Sequence, residues 1–229
     1  MGMTIFMIFA LLALPALATE RGGPKLLELY SSEGCSSCPS ADAFVSTLKG
    51  HKGLWRDFVP VVFHVDYWDY LGWKDELASP LFTRRQKSLG RLVTPGFVLD
   101  GKAWWTGDMK DLRRSSVVPG SLEVKPEGLL RYRITFQSPA PGPWRVHAAL
   151  LGFGVVSAVS SGENAGTTLS HDFVALGYGT AELEERQVVI TVKPNLKVKA
   201  AGYGYAVWVS RGDAPAPVQS VGGFLEARR

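Results

Sequence analysis

Cysteine is almost missing from this 229-residue chain: there are two, Cys35 and Cys38. So few exclude the disulfide-dense small scaffold and the four-cysteine zinc site. Runs of one charge are missing as well. The 25 Lys and Arg and 21 Asp and Glu, a formal +4, are spread along the chain with no like-charge run longer than two, which argues against the basic stripe of a nucleic-acid binder and fits a solvated surface. No internal repeat, low-complexity tract or heptad pattern occurs. Nor is there a serine with a paired base, a phosphate-cradling glycine loop or a convincing pair of catalytic carboxylates. Beyond residue 18 no stretch is apolar enough to span a membrane.

One apolar run does exist, at the start. "MGMTIFMIFALLALPALA" carries no charge and ends in Ala16-Leu17-Ala18, the small-x-small pattern of a signal-peptidase site. Residues 1–18 are expected to be an export signal, with the amino terminus alone supplying the positive charge of its first region. The alternative is an uncleaved anchor, for which the run is shorter than the ~20 residues of a span. Export places the rest of the chain in a secreted or periplasmic setting, where disulfides persist and no membrane association remains after cleavage.

The half before residue 118 alternates strand and helix signals. "KLLELY" at 25–30 is a buried strand leading straight into the cysteine loop. Pro39 follows Cys38 in the first turn of a helix whose Ala41, Phe44, Val45 and Leu48 fall at helical spacing. "VPVVFHVDYW" at 59–68 is a second strand. Ser79 and Pro80 cap and open a second helix, with Gly90 past its end. Thr94-Pro95 leads into a third strand at 97–99, which leaves through an Asp100-Gly101 turn. The order is that of an α/β layer.

A strand running into C-x-x-C at a helix start, with a Thr-Pro later in the chain, resembles the thioredoxin fold. More narrowly, "ELYSSEGCSSCPSADAF", "FHVDYWDYLGWKDELASPLFTRRQ" and "TPGFVLDG" resemble an exported thioredoxin-like family, domain of unknown function 1223. The likeness covers residues 26–107 well and extends to "SGENAGTTLSHDFVAL" at 161–176. It implies a thioredoxin-like domain at 19–118, a redox role for the cysteines, and a proton-accepting role for Glu28 on the first strand. For Glu28 the other reading is a salt-bridged carboxylate.

The residues themselves support several chemistries. At a helix start, unpaired N–H groups and the macrodipole favour a thiolate. Cys35 is therefore expected to be the exposed, attacking sulfur and Cys38 the resolving one. A cis bond between Thr94 and Pro95 would set backbone beside the cysteines for a substrate strand to pair with. Trp68, Tyr70 and Trp73 are candidate substrate-binding aromatics, with core packing as their other role. A metal site is not expected. The runner-up is a copper-type set of Cys35, Cys38 and His64, with His64 and Asp66 otherwise fixing the following loop by hydrogen bonds.

After residue 118 the pattern changes to strict alternation. "LLRYRITF", "WRVHAAL", "RQVVITV" and "YGYAVWV" repeat a two-residue period between Gly- and Pro-rich turns. Residues 119–229 are expected to form an all-β antiparallel sandwich-like domain, with His147 facing solvent. "GENAGTTLSHD" at 162–172 reads as a structured hairpin loop or a ligand loop. The functional expectation is an exported thiol–disulfide oxidoreductase acting on protein thiols or disulfides, without cofactor and without nucleic acid. The alternatives are a non-catalytic binding module with a structural disulfide, and the metal-handling thiol protein.

Overall fold

A computed structural model describes residues 22–226 except 91, 106, 118–119 and 196. The expected export signal at 1–18 and the change of pattern at 118–119 lie outside the described residues. Thirteen strands are described: β1 Lys25–Ser31, β2 Phe58–His64, β3 Gly96–Leu99, β4 Lys102–Ala103, β5 Ser121–Pro126, β6 Arg131–Gln137, β7 Trp144–Phe153, β8 Val155–Ala158, β9 Thr168–His171, β10 Val174–Leu183, β11 Gln187–Thr191, β12 Gly202–Arg211 and β13 Pro217–Leu225. The described α-helices are α1 Cys38–Thr47 and α2 Pro80–Ser88. None is long and apolar enough to cross a membrane.

The strands do not divide as the sequence suggested. β13-β12-β7-β10-β2-β1-β3-β4 form one mixed eight-stranded sheet. In it β2 lies parallel to both β1 and β10, and the other pairings are antiparallel. β11-β6-β5 and β8-β9 make two smaller sheets. This corrects the expected fold class, an α/β thioredoxin-like domain followed by a separate all-β sandwich. The described residues are mostly β with two short α-helices, and strands from both halves share the long sheet. Period alone misled here, because alternation identifies the buried face of a strand and not the neighbour at its edge. β2 is buried along its whole length; β1 pairs with it throughout on one edge, and β10 meets the other at Val62.

Burial explains the layers. Along β7, Val146, Ala148 and Leu150 pack with Tyr132, Ile134 and Phe136 of β6, under the three-stranded sheet. The alternate residues Ala149, Leu151 and Phe153 join Leu26, Leu29, Phe58 and Phe63 of the first half. A strand covered on both faces loses the polar alternation of a half-solvated one, and the "AALLGF" end of β7 carries that signal.

The same double burial corrects the placement of His147, which is 6% exposed rather than facing solvent. Its ring stacks on Trp208 with centroids 5.1 Å apart, and its nitrogens bond Tyr178 Oη at 2.7 Å and Ser210 Oγ at 2.9 Å. Beneath Trp208, Arg85 of α2 lies 4.7 Å from a ring centroid and grips Glu28 of β1 with bonds of 2.6 and 2.9 Å. Tyr30 Oη donates to the same carboxylate at 2.8 Å. A buried ion pair survives desolvation only when its hydrogen bonds are made, and this one draws partners from α2 and β1.

Burial first, then the cations of Arg85 and Arg145, push His147 down to about 3. The folded chain keeps it neutral while the unfolded chain protonates it near pH 6.5, so the unfolded state binds the extra proton and stability falls as pH drops from 6.5 toward 3. Between about pH 5 and 6.5, below the usual histidine value, His147 should contribute a slope of up to ~1.4 kcal/mol per pH unit. Urea midpoints of the native chain and His147→Gln, followed across that window, should diverge as pH rises. Parallel lines would show that His147 is not held neutral.

Candidate functional site

β1 ends at Ser31, and a tight loop then carries the chain to α1. Cys35 N–H donates to Ser32 O at 3.2 Å and Cys38 N–H to Cys35 O at 3.1 Å. Pro39 occupies the first turn of α1, which begins at Cys38. Its fixed φ suits that position, and its missing N–H would have no helical partner there. Cys35 and Cys38 are joined as a disulfide. Ser36 and Ser37 are exposed, yet Cys35 and Cys38 are 1% and 0% exposed. The expectation of an exposed Cys35 is thus corrected.

The cysteine loop is clamped from a turn far along the chain, with sequence separations of 127 to 131. The turn between β8 and β9, residues 159–167, lies against the cysteine loop. Buried Asn164 donates from Nδ2 to Glu33 O at 2.8 Å and to Cys35 O at 3.0 Å. The Glu163 carboxylate accepts from Ser36 N–H at 2.8 Å, which holds Glu163 below the usual carboxylate range. Gly162 adopts φ +78° at the crossing, where a Cβ would stand 3.6 Å from Trp73, 3.7 Å from Leu71 and 3.9 Å from Gly34. The left-handed backbone favours glycine here. Of the two expectations for this segment, the structured loop is what the fold displays.

The aromatic loop after β2 forms another wall. Trp68 Nε1 donates to Thr94 Oγ1 at 2.8 Å, tying the cysteine side to Thr94-Pro95, whose peptide bond is cis as expected. Trp68 and Tyr70 stack with centroids 6.5 Å apart, and Tyr70 is 78% exposed. Trp73 is half-buried and donates to Glu33 Oε2 at 2.8 Å. Glu28 sits apart from this wall, with both carboxylate oxygens engaged by Arg85. Asp66 accepts from Thr83 Oγ1 and so fixes the loop to α2.

Under the cysteine loop lies a polar cluster that sequence reasoning missed apart from His64. His64 Nδ1 bonds Asp75 Oδ2 at 2.7 Å, and the same carboxylate accepts from Glu33 N–H at 2.9 Å. His171 Nε2 meets Glu33 Oε1 at 3.2 Å. Ser31 Oγ donates to Asp42 Oδ2 at 2.7 Å. The rings of His64 and His171 stand edge to face, 4.9 Å apart. Burial by itself would lower His64; the Asp75 carboxylate, with Asp42 and Glu33 beside it, reverses this and lifts it to about 9. Burial opposes ionisation of Asp75 too, and the His64 partner overcomes it, holding Asp75 low. Asp42 stands one turn along α1 from Cys38, on a helix face that otherwise buries Ala41 and Val45. An acid among apolar helix positions was the available signal. Asp42, His64 and His171 are the residues here that could hold a cation. Cys35 and Cys38, bonded to each other, are not assembled with His64 as a ligand set.

The family model described as protein of unknown function (DUF1223) matches residues 26–210, and the chain belongs to that family. A protein of Agrobacterium tumefaciens, known from its crystal structure, is similar at 25% identity and a TM-score of 0.62, over 90% of this chain and 95% of that one. HBP35 of Porphyromonas gingivalis is similar in fold alone, at 13% identity and a TM-score of 0.61, over 90% of this chain and 76% of that one. No curated protein matches.

The Asn164 clamp makes a direct prediction. Asn164→Ala removes both amide hydrogen bonds to the cysteine loop, and at ~1 kcal/mol each their loss should speed disulfide reduction by dithiothreitol about thirtyfold. Thiol titration under excess reductant measures this. An unchanged rate would mean that the 159–167 turn does not limit access to the sulfurs.

Proposed function

We propose that this member of a family of unknown function is an exported thiol–disulfide oxidoreductase, with Cys35 the attacking and Cys38 the resolving sulfur and with protein thiols or disulfides as partners. The observation that carries the reading is the position of the bonded pair: Cys38 is the first residue of α1, Cys35 stands in the loop just before its N-cap Ser37, and Asn164 clamps that loop. The helix start favours thiolate when the bond is opened. Size argues the same way. A disulfide spanning three positions in sequence encloses so short a loop that its effect on the unfolded chain is only about 2 kcal/mol, a weak staple for a chain with two large buried clusters.

The exchange has two steps. With the pair reduced, the Cys35 thiolate attacks a partner disulfide, a bond forms between Cys35 and one partner sulfur, and the other partner sulfur leaves as thiolate. The Cys38 thiolate then attacks the Cys35 sulfur, re-forming Cys35–Cys38 and releasing the second partner thiolate. The partner gains two electrons and the chain loses two; the reverse sequence oxidises a partner dithiol. Trp68 and Tyr70, stacked beside Thr94-Pro95 with Tyr70 projecting into solvent, offer the partner an aromatic edge.

A second reading, a binding module with a structural disulfide, is favoured by the burial of both cysteines. Trapping separates the two. In an exported Cys38→Ser variant the resolving step is gone, so mixed disulfides through Cys35 should accumulate on non-reducing gels and vanish with reductant. Cys35→Ser should accumulate far fewer. Equal adducts, or none, together with equal stability losses of about 2 kcal/mol, would replace the catalytic reading with the structural one.

A further inference from the structure

Buried polar atoms in folded proteins find hydrogen-bond partners, and an unsatisfied one calls for an explanation. Asp42 Oδ1, His64 Nε2 and His171 Nδ1 are buried and have none. Their residues also cluster: one ligand atom from each of Asp42, His64 and His171 lies within 4.8 Å of the others, and the residues are 6%, 0% and 1% exposed. Each belongs to a side chain whose other polar atom is held: Asp42 Oδ2 by Ser31, His64 Nδ1 by Asp75 and His171 Nε2 by Glu33. Metal binding displaces one ring proton; the ring then keeps its remaining N–H on a carboxylate and presents a lone pair from its other nitrogen, which is how metal-binding imidazoles are oriented.

We propose that Asp42, His64 and His171 bind a divalent transition-metal cation of the zinc type, with Ser31, Asp75 and Glu33 as the outer groups that orient them. Two imidazoles and one carboxylate suit such an ion and leave a coordination position open. Bonds of about 2.1 Å would draw the three atoms to ~3.4 Å apart, a small contraction. The charge of the cluster points the same way. Even with both rings protonated, the carboxylates of Glu33, Asp42 and Asp75 would outnumber them by one, and among the described residues no lysine or arginine forms an ion pair with these three acids. The ligands come from α1, the end of β2 and the end of β9, so the ion would pin the second half of the chain to the helix that carries Cys38. The site uses neither sulfur and is independent of the exchange reaction.

Zinc and cobalt test it. The full chain, disulfide intact and stripped with chelator, is titrated with Zn²⁺ against a chromophoric competitor, and again after refolding with Zn²⁺ present so that burial does not prevent loading. One equivalent should bind. Co²⁺ should give visible d–d bands without a thiolate-to-cobalt charge-transfer band. Asp42→Asn, which keeps shape, and His171→Gln should abolish stoichiometric binding, Asp75→Asn should weaken it by ~10–100-fold, and the Cys35→Ser, Cys38→Ser double variant should retain it. Circular dichroism identifies any variant that fails to fold, and the isosteric Asp42→Asn then decides. No binding by either loading route, as would follow if water alone fills the site, or binding that survives Asp42→Asn or is lost with the cysteines, would overturn the assignment. Redox activity enters none of these readouts, so this proposal and the exchange function stand or fall separately.

Discussion

The parallel junction of β2 with β10, where Val62 pairs with Val174 and Val62 N–H donates to Phe173 O at 2.9 Å, is the constraint on which the rest of the molecule depends. β2 is buried throughout and would otherwise present an open edge to the interior. Once β10 fills that edge, the segment just before it has little freedom. Phe173, at φ +58°, turns the chain so that β9 leaves the sheet and packs against α1, which brings His171 to His64 and the 159–167 turn onto the cysteine loop. A left-handed backbone at a bulky residue is unfavourable by itself and is held here by the packing of its ring on Trp55 and Phe153.

Two buried polar networks result, and they differ in a way that separates stability from chemistry. Around Glu28 and Arg85 the charges face each other, Tyr30 completes the carboxylate's bonds, and aromatic rings fill the surroundings. Such a closed network locks one arrangement of the core. The network beneath the cysteine loop has an excess of acid and ends in three atoms without partners. A core selected only for stability would have replaced them with apolar side chains. Their presence one helical turn from Cys38 is the physical ground on which the metal proposal rests.

Much of the local structure was legible in the sequence. The hydrophobic periods located β1, β2, β6, β7, β11 and β12, Ser79-Pro80 marked the start of α2, and Asp100-Gly101 the turn after β3, because each depends on neighbours a few residues away. Cys35 and Cys38 drew attention as a pair, and they are bonded. His147 was misplaced because alternation assigns one side of a strand to solvent, whereas β7 is covered on both. Glu28 forms the salt bridge that was one of its two readings, but its partner Arg85, 57 residues further on, was not legible.

The sequence by itself determined the cysteine pair at a helix start, the strand and helix positions and the polar turn at 162–172, since spacing, proline and glycine act through local backbone geometry. Only the tertiary structure decided that β10 joins β2, that the two halves share one sheet, that Asn164 clamps the Cys35 carbonyl, and that Asp42, His64 and His171 come together. Most of those contacts join residues more than 100 positions apart, and even Asp42 and His64 lie on different elements. Edge pairing and buried electrostatics select them, and neither leaves a period in the chain to be read.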